Sequence, residues 1–335
     1  MLFLSRNGQA PVKLKKGTPT GFEQYQIHGM KKFYYEQEHH TTFSQCMDVP
    51  GCRIWWHAIK VRSEKTAISA TATQTGLRLN FTLGLLDADA ALNKRELVKL
   101  KSAGIDLFYV YRGGHDAELP AGTHIFFHLD ISKDLFVLMQ QNPAFSSLSR
   151  AVKHTVKKGN GHINSRPVPI NLYCATLIED IRQHTYEGFA AKVYLNTKVW
   201  SLLQYFARHF AGTPAPSGTN RLTPQDVLDI DTLKAHLKQH MSQPFSLEKL
   251  CAALNLRHPQ LQAQRFKQLH DISLHAFYRR FRMEEAFNRV TRSGFKISFI
   301  SEKLGYKSAA AFSRAFRQHF GYSPAALREA TRGTS

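Results

Sequence analysis

The sequence predicts a two-domain α+β protein: a small N-terminal β-barrel or sandwich carrying a helical pair, then an all-α domain with two helix-turn-helix units. Three observations predict it. Apolar residues alternate from about residue 22 to 132 and recur at helical spacing beyond about 133. Residues 212–219, Gly-Thr-Pro-Ala-Pro-Ser-Gly-Thr, have the composition of a linker. After that linker two helix-turn-helix patterns follow one another about 50 residues apart, with a long helix between them. The expected boundaries are 1–211 for the first domain (β-rich over 22–132, helical over 133–211), 212–224 for the linker and 225–332 for the second domain.

Residues 1–20 are basic and irregular and read as a loose arm. Strands follow. Residues 54–61 are aromatic and β-branched, residues 77–83 alternate, and residues 107–111 and 125–129 are further strands. Gly113-Gly114 and Pro120-Ala121-Gly122 are expected to turn the chain between the last two. Short strands at this spacing make a sandwich or small barrel, enclosing either a cavity or a packed core. Trp55, Trp56, Phe81, Tyr109, Tyr111 and Phe127 would line the cavity or fill the core.

Helices are expected over 135–139, ahead of Pro143, and over about 144–156, 171–186 and 188–210. The last carries a broad apolar face through Val193, Leu195, Val199, Trp200, Leu202, Leu203 and Phe206, which reads either as core or as a homodimer interface over 171–210. Beyond the linker, helices are expected at about 229–241, 246–255, 259–270, 274–292 and 297–304, before those of the closing segment.

That closing segment, Ile297 to Arg328, carries the strongest signal. Ile297, Ile300 and Leu304 form one helical stripe, and Gly305 supplies a left-handed helix end. Ser308 is placed to cap the next helix, whose Phe312, Phe316 and Phe320 share one face. Gly321 ends it, and Ser323-Pro324 opens another. Two short helices across a glycine turn, the second basic outside and aromatic inside, describe a DNA-reading helix-turn-helix.

Charge points the same way. The net charge of +20 favours a polyanionic partner. Residues 221–335 hold 19 Lys and Arg against 9 Asp and Glu, and the preceding 220 hold 26 against 16, so the excess is densest in the C-terminal third. Cys46, Cys52, Cys174 and Cys251 form no C-x-x-C, which indicates neither zinc finger nor disulfide framework and fits a reducing, cytoplasmic setting. The N-terminal apolar run is too short for a signal peptide, and no stretch is apolar enough to span a bilayer.

The paired units over about 100 residues resemble the DNA-binding domain of AraC/XylS-type transcription regulators. The second unit carries the resemblance: Ile297, Ile300, Gly305-Tyr306, Ser308, Phe312 to Phe316, Phe320-Gly321, Ser323-Pro324 and Arg328, with Arg282 and Ala286 in the joining helix. Ser301 stands where the family has Ala, and Leu327 where it often has an aromatic. The first unit departs more. Asn255 and Asp271 replace turn glycines, and Leu261 and Phe266 lie five apart where the family has four, so one residue is expected to be extra. The helix pair at 181–203 is similar to the dimerisation region of the siderophore-responsive branch, although Asn196 and Ser201 replace its acidic residues. The resemblance implies a ligand-responsive activator that binds double-stranded DNA, RNA polymerase and a small-molecule effector, with a ferric siderophore as the implied class.

A helix-turn-helix reads bases from the start of its second helix. The base-contact candidates are Gln260, Gln262, Ala263 and Gln264 in the first unit and Ala309, Ala310, Ser313 and Arg314 in the second. Arg314 suits guanine O6 and N7. Arg265, Lys267, Lys307 and Arg317 are the phosphate candidates. Two rival readings remain. A cupin-like barrel could be a metal enzyme, but no His-x-His pair occurs in a strand; His124 and His128 alone would share a strand face. No Gly-rich phosphate loop or nucleophile motif is present, so no catalytic residue, cofactor or metal site is expected. The second rival is a nonspecific DNA-binding protein, which would need no sensor of some 200 residues.

Overall fold

The computed structural model describes residues 2–4, 14–72, 75–92, 96–159, 161–210 and 222–332. The linker at 212–219 and residues 5–13 of the expected arm lie outside these. The rest of that arm includes two short strands, β1 (Leu2–Leu4) and β2 (Lys15–Lys16). The sheet continues with β3 (Lys31–Glu36), β4 (His40–Val49), β5 (Cys52–Ala72), β6 (Gly76–Thr82), β7 (Ala88–Leu92), β8 (Glu96–Leu100), β9 (Gly104–Val110) and β10 (Gly113–Ile131). Helices α1 (Lys133–Gln140) and α2 (Ser146–Lys157) follow, then the two-residue strand β11 (Val168–Pro169), α3 (Leu172–Gln183) and α4 (Gly188–Phe210). Seven helices complete the described chain: α5 (Pro224–Gln239), α6 (Leu247–Ala253), α7 (Pro259–His270), α8 (Leu274–Arg292), α9 (Ile297–Lys303), α10 (Ala309–Phe320) and α11 (Pro324–Arg332).

The chain divides into two compact units. One comprises Met1–Ile170, Leu177–Glu187 and Lys198–Thr213; the other comprises Asn171–Thr176, Gly188–Thr197 and Pro214–Ser335.

The sheet of the first unit is antiparallel and open. Its strands run β11-β9-β6-β10-β5-β4-β3-β2, so the expected closed barrel is not formed. The long strands β5 and β10 explain this. They pair along their whole length, but β10 changes its other neighbour midway. Phe126–Ile131 pair with β6, whereas Asp116–Glu118 pair with β7 of the β7–β8 hairpin. The change falls beside Pro120-Ala121-Gly122, which is a register shift inside β10 and not the expected turn. Proline lacks the ladder N–H and Gly122 adopts φ +132°, so the strand bends there without ending. The path's end strands are two residues each, one Lys-Lys and the other containing Pro169, which is how natural edges resist further pairing.

Both faces of the central strands are covered. Leu77, Leu79 and Phe81 of β6 lie buried on one face with Phe127 and Leu129 of β10. Arg78 and Asn80 point the other way, toward a mostly apolar interior that His57 also lines. The apolar face of α4 is core: Leu195, Val199, Leu202, Leu203 and Phe206 are all buried within one chain.

In the second unit, α5 to α8 gather around Ile230, Leu233, Leu250, Phe266 and Tyr278. α5 starts five residues before the expected 229 because Thr223 and Asp226 form a reciprocal capping box with Pro224 between them. Around α8, Phe287 stacks against Phe316 and Phe320, and Leu327 of α11 is fully buried.

Candidate nucleic-acid interface and ligand cavities

The two helix-turn-helix units are α6–α7 and α9–α10. Their bounds differ by a constant 50 residues: 247–253 and 259–270 against 297–303 and 309–320. This corrects the expected extra residue. The counterpart of Phe312 is Gln262, four before Phe266, and Leu261 matches Ala311 instead.

In the second unit the predicted roles hold. Gly305 is left-handed at φ +72°, and a Cβ there would lie 2.0 Å from the Ser242 carbonyl oxygen. Ser308 Oγ accepts from Ala311 N at 3.2 Å, capping α10. Phe312 and Phe316 are fully buried and Phe320 nearly so. Ser301 satisfies its buried hydroxyl by donating to the Ser298 carbonyl at 2.8 Å. Arg282 lies over the rings of Tyr278 and Tyr306, at 5.1 and 4.3 Å from their centroids, and donates to the Leu304 carbonyl. Arg328 donates to the carbonyls of Val290 and Phe295 at 3.0 and 2.7 Å, tying α11 back.

The first unit has the same backbone with a more polar interior. Asn255 and Asp271 adopt the left-handed conformation of the glycines they replace, at φ 53° and 58°. His258 is also left-handed at φ 56° and leaves α7 without a side-chain cap. Gln262 and His270 are buried where the second unit has Phe312 and Phe320. Gln262 Nε2 donates to Asp229 at 3.4 Å, while its Oε1 has no partner among the described residues.

The solvent-facing side gives the candidate interface. On α10, Ala310, Arg314 and Arg317 are exposed and Ser313 is half-buried. On α7, Gln260, Gln264 and Lys267 are exposed and Ala263 is half-buried. These are the same four helix positions in each unit, at i, i+3, i+4 and i+7, on the side away from the core. Ala309 is half-buried, and Lys307 is exposed in the turn. Two candidates leave the set. Gln262 faces the core, and the Arg265 guanidinium is held by Asp226 at 2.8 Å. One residue was missed: exposed Arg257 is the counterpart of Lys307, legible from the 50-residue offset.

In the first unit of the chain a cleft of about 680 Å³ opens near the start of β5. Of the six aromatic candidates, Trp55 and Tyr109 line it. Trp56 and Phe81 each pack against Phe127, with ring centroids 6.0 and 5.0 Å away, and all three are core. Tyr111 stacks edge-on against Tyr109. The cleft's charged groups were missed. Arg78 donates twice to Asp130, at 2.6 and 3.1 Å, and Trp55 Nε1 donates to the same carboxylate at 3.0 Å. The signal for Arg78 was its place on the polar face of the alternating run Leu77 to Thr82. His124 Nε2 meets the Pro120 carbonyl at 2.8 Å. Among the described residues no group of three or more His, Cys, Asp or Glu is placed to hold a metal ion, and no helix is long and apolar enough to cross a membrane.

Residues 250–330 match the family model described as "Helix-turn-helix domain". Two curated relatives each match part of the chain. The raffinose operon transcriptional regulatory protein RafR of Pediococcus pentosaceus is 30% identical over 95 residues, 28% of this chain and 34% of RafR. The MmsAB operon regulatory protein of Pseudomonas aeruginosa is 28% identical over 105 residues, 31% of this chain and 34% of that protein. Among solved structures, the C-terminal domain of AraT, a response regulator from Geobacillus stearothermophilus, is 28% identical, covering 33% of this chain and 88% of that one with a TM-score of 0.30. The C-terminal region is therefore a helix-turn-helix domain of the AraC type, and its relatives are AraC/XylS-like transcription regulators. The match spans about a third of the length of the curated relatives.

Proposed function

We propose that the protein is a transcription regulator, not an enzyme, that reads two adjacent major-groove segments of DNA with α7 and α10. One observation carries this reading: the two helices offer solvent the same four positions, fixed by a constant offset, while their opposite sides are buried. Gln260, Ala263 and Gln264 would meet bases from the first helix, and Ala310, Ser313 and Arg314 from the second. Arg257, Lys267, Lys307 and Arg317 would hold phosphates, which position the helices without specifying sequence. Residues 1–211 would sense a small molecule, with the cleft at Trp55 and Tyr109 sized for a drug-like ligand. Binding would act on RNA polymerase at the promoter by favouring one presentation of the readers.

The test is a footprint on the DNA upstream of the protein's own and neighbouring genes. Two protected major-groove segments one helical turn apart are expected. Arg314→Ala should weaken specific binding roughly tenfold to a hundredfold and relax the preference at one base, because a bidentate contact contributes about 1–3 kcal/mol. Protection independent of sequence, or unaffected by both Arg314→Ala and Gln264→Ala, would sink the reading.

A further inference from the structure

A second cavity lies in the first unit, between the sheet and the β7–β8 hairpin. Its volume is about 130 Å³. Ile59, Phe108, Phe126, Ala90, Leu100 and Leu119 line it; His57, Asn80, His115 and Asp116 also border it, but the surface it offers is almost wholly apolar. His128 lines the same space, and its Nδ1 is a buried atom with no hydrogen-bond partner among the described residues.

We propose that this cavity is a binding site for a neutral, single-ring molecule bearing one hydroxyl group, of the phenol type. The volume sets the size, since an apolar cavity of roughly 150 Å³ holds one benzene ring. The walls set the polarity. A sugar would bury several hydroxyls against aliphatic and aromatic side chains and leave them unpaired. The imidazole sets the single polar group, because a hydroxyl can donate to or accept from Nδ1 and so satisfies either tautomer. Burial, with His57 and Arg78 nearby, holds the His128 ring well below the ordinary imidazole pKa, so it stays neutral and offers no charge to an anion. Arg78 lines the cavity too, but its guanidinium is already paired twice with Asp130.

The binding stands apart from the regulator reading; only a role for the ring as effector rests on it. The experiment is ¹⁹F NMR of 4-fluorophenol, fluorobenzene and 4-fluorobenzoate with the full chain. Saturable broadening of 4-fluorophenol with a Kd below about 1 mM is expected, a fair affinity for so few atoms. Fluorobenzene should bind about tenfold more weakly for want of one hydrogen bond, and the benzoate weaker still. Ala90→Leu, which fills the space, should abolish binding without lowering the Tm. His128→Phe should erase the preference for phenol over benzene. No saturable binding up to about 10 mM, equal affinity for phenol and fluorobenzene, or undiminished binding in Ala90→Leu would each overturn the proposal. A footprint that fails while the ring binds would count against the regulator and leave this site standing.

Discussion

At Gly305 the backbone is left-handed and the Ser242 carbonyl fills the space a side chain would take. Gly305→Ala should therefore destabilise the C-terminal unit by more than about 2 kcal/mol, since both conformation and contact are violated. Asn255 occupies the same position in the first unit at a smaller cost, and Asn255→Gly should stabilise by about 1 kcal/mol. Urea unfolding of the two variants should move in opposite directions. His270 makes a second residue-scale prediction. Burial pushes its pKa down to about 4, with Lys234 and Arg280 adding to the shift and Asp231 opposing it. A lowered pKa means that the fold favours the neutral ring. Its contribution is present above about pH 6.5, the unfolded value, and is lost as pH falls toward 4. His270→Phe, which copies Phe320, should leave the first unit less sensitive to acid between those limits. Tm against pH for both chains checks this.

Apart from α5, the helices that form the paired units of the C-terminal domain were legible almost to the residue. α7 and α8 span 259–270 and 274–292 as expected, because Pro259 in the first turn, left-handed Asp271 and the Ser273 cap mark their ends. The first unit's register was misjudged for a physical reason. Leu261 is the apolar residue nearest the family's spacing from Phe266, yet the backbone places polar Gln262, four before Phe266, in the core. Gln262→Leu should accordingly raise stability by about 1 kcal/mol, since it removes a buried, half-satisfied amide. No gain in the denaturation midpoint would mean that the amide finds partners in solution. Strands were less legible. Alternation gave the faces of β6, including polar Arg78 and Asn80, but the punctuation at Pro120-Ala121-Gly122 looks the same for a bulge as for a turn. The aromatic candidates split for a similar reason: Trp55 and Trp56 are neighbours, so a strand must send them to opposite faces.

At the scale of the whole molecule, the open sheet could not be read from strand signals, because closure depends on which strand β10 takes as its neighbour and not on any one strand's composition. The net charge of +20 makes another prediction. With four phosphate contacts from Arg257, Lys267, Lys307 and Arg317, log K for operator DNA should fall with log salt at a slope of about −4. Fluorescence anisotropy across a salt series measures it. A much steeper slope would bring basic residues of the first unit into the contact. The constant 50-residue offset has a mechanical consequence of its own. α8 acts as a ruler between two like tools, and its 19 residues set their phase as well as their distance. Each residue added to it would turn the second tool about 100° around the helix axis and carry it about 1.5 Å along. On the proposed reading, side chains on either helix can vary to suit new sequences, while the length of the helix between them cannot drift without losing the DNA turn they would share.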